Sequence, residues 1–119
     1  FFTEIHGIKL DMVKKEKTFD KIWKLVWEDL KDMDLFFAHN APFDKSVLHA
    51  CCNHYRLSIP HQNFADTVQI SRKFWDFENN KLNTVCKNLR IPLKHHDALS
   101  DSRGCAQIAI EAFKLGYVI

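Results

Sequence analysis

The chain has 119 residues, 46% of them hydrophobic and 27% charged, with a formal net charge of +2. This length bounds it to one domain. The composition excludes a disordered chain, and the charge is too small to mark a nucleic-acid binder by itself.

Residues 1–17 have weak periodicity and read as a loop with short extended pieces. The first residue is Phe1, so the numbering is expected to begin inside a longer chain. Thr18 then caps a predicted helix, TFDKIWKLVWEDLKDM. Phe19, Ile22, Trp23, Val26, Trp27 and Leu30 recur at 3.6-residue spacing and make one broad apolar face. Core packing accounts for both tryptophans.

LFFAH, residues 35–39, is a short unbroken apolar run, the pattern of a strand buried on both faces. NAPFDKSVLHACCNHYRL follows as a helix with Pro42 in its first turn, where a missing N–H costs nothing. NFADT (63–67) is a second short strand, leading into a helix that runs to about Trp75. KLNTVCKNL forms another helix, and a long last helix opens near Asp97 and ends near Gly116, an expected C-cap. A central LFFAH strand needs partners on both edges, yet the chain offers one other convincing strand. The pattern is that of an α/β domain lacking its leading strands.

Cys51, Cys52, Cys86 and Cys105 show neither a zinc spacing nor a disulfide framework. They read as reduced thiols of a cytoplasmic protein, with no signal peptide or membrane span in the sequence. HACCNH (49–54) looks metal-rich, but its two His/Cys pairs diverge on a helix. Arg72, Lys73, Lys81, Lys87 and Arg90 read first as a solvated face and only then as phosphate contacts. For Trp75 and Phe77, core or rim packing outweighs stacking on a base.

Two stretches carry chemistry. AHNAPFD (38–44) lies where a strand ends and a helix begins, the position at which open α/β sheets bind ligands. With Asn40 as N-cap, Asp44 falls in the first turn, where the helix dipole favours it. HHDALSD (95–101) opens the last helix, with Asp97 as cap and Asp101 in the first turn. Asp101 shares a face with Ala98, Cys105, Ile108 and Ala112, so it points toward the core, where a lone carboxylate is costly and a bound cation would offset the cost. His96 lies just ahead, within reach of a water held at such a cation.

Asn-x-x-Phe-Asp after a strand, then His-x-x-x-x-Asp opening a helix, resembles the second and third motifs of the DEDDh 3′–5′ exonucleases, the DnaQ-like group. IHGI (5–8), AHNAPFD, FADT, KLNTVC and HHDALSD follow that family's order over almost the whole chain. The resemblance is closest to proteins like the epsilon subunit of DNA polymerase III. It implies a ribonuclease H-like α/β fold over residues 1–119 and hydrolysis with two divalent ions, Mg²⁺ or Mn²⁺. By motif match, Asp44 and Asp101 are metal ligands and His96 is the general base. Asn40 and Phe43 match positioning and packing residues, His6 matches a loop near the terminal nucleotide, and His95 is a flank. The implied substrate is the 3′ end of single-stranded DNA or RNA, the product a nucleoside 5′-monophosphate, and a DNA polymerase a possible partner.

One departure matters. The family's first motif, Asp-x-Glu on the first strand, would precede IHGI by several tens of residues and is expected to lie upstream of Phe1, outside residues 1–119. Asp32–Asp34 matches acid-x-acid but lies at a helix exit. The rival reading is therefore a non-catalytic nucleic-acid or polymerase-binding module that keeps the fold with an incomplete site. A third is a metal phosphohydrolase of another family with His6, His39, His95 and His96 as nitrogen ligands.

Overall fold

The computed structural model describes residues 17–119. The expected extended pieces before Lys17, and His6 with them, lie outside the described residues.

Helix α1, Phe19–Leu30, starts after Thr18, whose backbone is extended as an N-cap requires. The Thr18 hydroxyl donates to Asp20 and does not cap the helix N–H groups. The helix ends at Leu30, three residues short of the expected Met33. Its apolar face is half-covered: no α1 residue is buried, and Ile22 and Val26 are exposed. The tryptophans expected in a core instead form a ladder along this face. Phe19 stacks on Trp23 at 5.6 Å, and Trp23 meets Trp27 at 5.6 Å, as i,i+4 spacing dictates. The buried Gln62 donates its side-chain N–H to the Leu30 carbonyl at 3.0 Å, satisfying one of the orphan acceptors at the helix end.

Strand β1, Leu35–Ala38, pairs in parallel with β2, Asn63–Asp66, in the register Leu35 to Asn63 through Ala38 to Asp66. Helix α2, Ala41–His54, makes the crossover that a parallel pair needs. All four β1 residues are half-buried, which corrects the expectation of a strand buried on both faces. The period-2 alternation explains the environment of each side chain. Phe36 meets Phe64 edge-on at 5.5 Å, while Phe37, on the other face, meets Phe113 at 6.1 Å. Among the described residues the sheet has these two strands alone.

Helix α3, Thr67–Phe74, is capped by the Asp66 side chain, which accepts the Val68 N–H at 2.9 Å. Helix α4, Leu82–Asn88, and α5, Ala98–Lys114, follow. The core forms where α5 packs on α3 and α4. Val85, Cys86, Ile91 and Ile108 are buried there, with Trp75, Phe77, Leu82, Leu89 and Leu93 around them. Trp75 and Phe77 are thus packing residues, their rings stacked at 5.9 Å. Full burial of a residue such as Ile108 contributes roughly 1.5–3 kcal/mol.

Gly116, at φ 101°, closes α5 as expected, with its N–H on the Phe113 carbonyl. All four cysteines are free thiols. No helix among the described residues is long and apolar enough to cross a membrane.

Candidate active site

The end of β1 and the start of α2 meet in a tight turn. Asn40 stands at the N-cap position but in the left-handed region, φ 70° and ψ 55°, which asparagine tolerates better than most residues. Its side chain caps nothing, unlike the expectation for an N-cap asparagine. The backbone N–H donates instead to the Asp66 Oδ1 at 2.9 Å. That oxygen also caps α3, so one carboxylate fixes the ends of both strands and the starts of both following helices.

His39 lies under this turn and is half-buried. Its Nε2 is 2.7 Å from the Asn80 carbonyl, an acceptor, so Nε2 carries the proton. Nδ1, 2.8 Å from the Thr67 Oγ1, then accepts from that hydroxyl. Thr67 Oγ1 also lies 3.4 Å from the Cys105 Sγ. Burial pushes the His39 pKa below its ordinary 6.5 and keeps the ring neutral.

The start of α5 is built by Asp97 and Ser100. Asp97 Oδ1 accepts the Ser100 N–H at 3.0 Å, and the Ser100 Oγ accepts the Lys94 N–H at 2.7 Å. The loop carrying His95 and His96 is thereby clamped to the first turn of the helix. His96 lies at φ 68°, in the left-handed region that few non-glycine residues adopt. Consecutive side chains ordinarily diverge; here the His95 and His96 ring centroids lie 3.9 Å apart, with the ring planes tilted by 33°.

Phe37, Ala38, His39, Phe43, Asp44, Leu82, Asp101, Ser102 and Cys105 line one cleft of about 310 Å³. Asp44 and Asp101, 57 positions apart, therefore face the same space. Among the described residues, no lysine or arginine lines it. Partial burial pushes the Asp44 carboxyl above its ordinary value, and the charge of Asp66 adds to this. The Asp101 side chain is 29% exposed, yet its Oδ1 is buried and has no hydrogen-bond partner among the described residues. A buried carboxylate oxygen without a partner is costly, and a cation is the ligand that removes the cost. Hard divalent ions suit such oxygens, so the pair Asp44 and Asp101 fits them.

The structure distributes the remaining expected residues as follows. Phe43 is exposed and lines the cleft, while His96 is not part of its lining but has one ring nitrogen within 4.8 Å of an Asp101 carboxylate oxygen. Asn40 acts through its backbone. His39 is held by Thr67 and Asn80 and does not join His95 and His96. His49 and Cys52 belong to no group that could hold a metal among the described residues.

Sequence reasoning missed three things. Asp66 was visible as an Asp-Thr pair ending a strand, a helix-start signal. His95, expected as a flank, has its Nδ1 3.6 Å from the Asp101 Oδ1. Asp76-Phe77-Glu78 also spells Asp-x-Glu, but both acids are exposed beyond α3 and outside the cleft.

A model of the exonuclease family matches residues 1–109. The DNA polymerase III PolC-type protein of Bacillus cereus is 31% identical over 113 residues, covering 93% of this chain and 8% of that protein. Its namesake in Listeria monocytogenes is 33% identical over 110 residues, covering 91% of this chain and 8% of that protein. The chain thus spans under a tenth of the length of these relatives. With its cleft carboxylates on the two stretches that resemble DnaQ-like motifs, the chain belongs to this exonuclease family and has its α/β, ribonuclease H-like fold.

Proposed function

We propose that residues 1–119 belong to a single exonuclease domain that removes nucleotides from the 3′ end of single-stranded nucleic acid, releasing nucleoside 5′-monophosphates. The observation that carries this reading is the placement of Asp44 and Asp101 in one cleft, with the Asp101 Oδ1 buried and unpartnered. The names of the matched relatives favour DNA over RNA and a polymerase context.

Asp44 and Asp101 would hold divalent ions, Mg²⁺ or Mn²⁺. Two such ions, when bound, lower the pKa of an attacking water and stabilise the departing 3′ oxygen. His96, open to solvent and with a ring nitrogen within 4.8 Å of an Asp101 carboxylate oxygen, takes the proton of that water on a ring nitrogen. The water oxygen bonds to phosphorus, and the bond from phosphorus to the preceding nucleotide's 3′ oxygen breaks. Phe43, exposed at the cleft wall, offers a face on which the terminal base stacks. Asn40 shapes the turn that aims Asp44, and His6, outside the described residues, is assigned to the terminal nucleotide by motif match alone.

The test is cleavage of a single-stranded oligonucleotide labelled at its 5′ end. A ladder shortening from the 3′ end, with nucleoside 5′-monophosphate as product and dependence on Mg²⁺ or Mn²⁺, supports the reading. Binding of the oligonucleotide with no turnover under either ion supports the non-catalytic module instead.

A further inference from the structure

We propose that His95, His96 and Asp101 form a binding site for a late first-row divalent cation of the Zn²⁺ class, whose occupation switches the exonuclease centre off. The second half rests on the function proposed above; the first does not.

One ligand atom from each of the three side chains lies within 4.8 Å of the others, the one such group of three among the described residues. The Asp101 Oδ1 is buried without a partner, and the neighbour that approaches it is the His95 Nδ1 at 3.6 Å, too far for a hydrogen bond. Neither imidazole hydrogen-bonds a described residue, and both are exposed, so each ring is free to turn its nitrogen inward. Ligand atoms of a tetrahedral zinc site lie about 3.3 Å apart, given bonds near 2.0–2.1 Å. Small rotations of two unrestrained rings close the gap.

The backbone is already in place. The left-handed His96 brings two consecutive imidazoles together, their centroids 3.9 Å apart and their planes tilted by 33°, and Ser100 clamps their loop to the helix that carries Asp101. Two of the three donors are nitrogen. Zn²⁺ and its neighbours accept imidazole readily, whereas Mg²⁺ demands oxygen. The fourth position stays open to water or a phosphate oxygen.

The consequence for the proposed centre is competition. An ion held by His95 and His96 removes Asp101 from the Mg²⁺ set and occupies the nitrogen of His96 that receives the proton. His95 thus acts on the centre while standing outside its machinery.

The test uses purified full-length protein without Mg²⁺ or nucleic acid. Co²⁺ is titrated in and followed by its visible d–d absorption, then displaced by Zn²⁺. The wild type is expected to bind one ion that millimolar Mg²⁺ does not displace. His95→Ala should weaken Zn²⁺ binding at least about tenfold with an unchanged circular dichroism spectrum. The paired Cys51→Ser, Cys52→Ser variant should bind as the wild type does. Equal affinity in wild type and His95→Ala, or no binding in either, overturns the site.

Activity in saturating Mg²⁺ then tests the switch. Zn²⁺ should inhibit the wild type, and His95→Ala should keep its basal rate while needing about tenfold more Zn²⁺ for half inhibition. Zn²⁺ binding through His95 without inhibition overturns the switch and leaves the site standing. Binding in a protein that never turns over counts against the exonuclease reading alone.

Discussion

The Asp66 Oδ1 accepts the Asn40 backbone N–H at 2.9 Å and so ties the start of α2 to the end of β2. The same oxygen caps α3 through Val68. Asp66→Ala removes both bonds and leaves a left-handed Asn40 without its anchor. The expected loss is about 2 kcal/mol of stability, within the range of a lost charged cap. Asp66→Asn keeps an acceptor oxygen and should lose less than half of that. Urea denaturation checks both; equal midpoints for wild type and Asp66→Ala would remove Asp66 from the architecture of the turn.

His39 makes stability depend on pH. Its folded pKa is depressed below 6.5 by burial, with Asn80, Asp66 and Asp44 partly opposing the shift. The unfolded chain therefore binds the proton more readily than the folded one. The stability contributed by neutral His39 is complete above pH 6.5 and is lost as pH falls through the folded pKa. A protonated ring would turn an N–H toward the Thr67 Oγ1 and reverse that bond, while its Nε2–H stays on the Asn80 carbonyl. His39→Asn should lower stability at neutral pH and flatten its decline below pH 6.5, measured by thermal unfolding across the range. A variant that keeps the wild-type slope would place the decline elsewhere.

Gly104 lies buried in α5, where glycine is an unfavourable helix residue. A Cβ there would stand 2.9 Å from the Leu93 Cδ1 and 3.1 Å from the Cys86 Sγ. Gly104→Ala gains about 1 kcal/mol of helix propensity and forfeits roughly 1–3 kcal/mol to overpacking. The expected net result is a loss of roughly 1 kcal/mol. A higher melting temperature for Gly104→Ala would show that the α4–α5 contact yields more easily than its spacing indicates.

The elements were legible because their patterns were local. Apolar spacing, Pro42 and Gly116 marked the helices, and the spacing from His96 to Asp101 marked the cleft. What escaped depends on contacts distant in sequence. Whether Trp23 and Trp27 enter a core depends on what covers α1, which periodicity along α1 does not encode. Asn40 does not cap α2 because its backbone is left-handed rather than extended, in a turn whose N–H is held by Asp66, 26 residues later. The approach of His95 to Asp101 depends on the positive φ of His96, which no spacing rule predicts for a histidine. His6 lies outside the described residues and stays an expectation.

The most direct measurement compares Asp101→Asn with the wild type in both stability and turnover. Metal-free wild type carries a buried, unpartnered carboxylate oxygen, so removing its charge should raise the melting temperature of the metal-free protein. Added Mn²⁺ should stabilise the wild type and leave the variant unmoved. Release of nucleoside 5′-monophosphate should fall at least about a hundredfold in the variant, on the order of 3 kcal/mol of transition-state stabilisation. A variant that cleaves 3′ ends at the wild-type rate, with an unchanged response to Mn²⁺, would contradict the account.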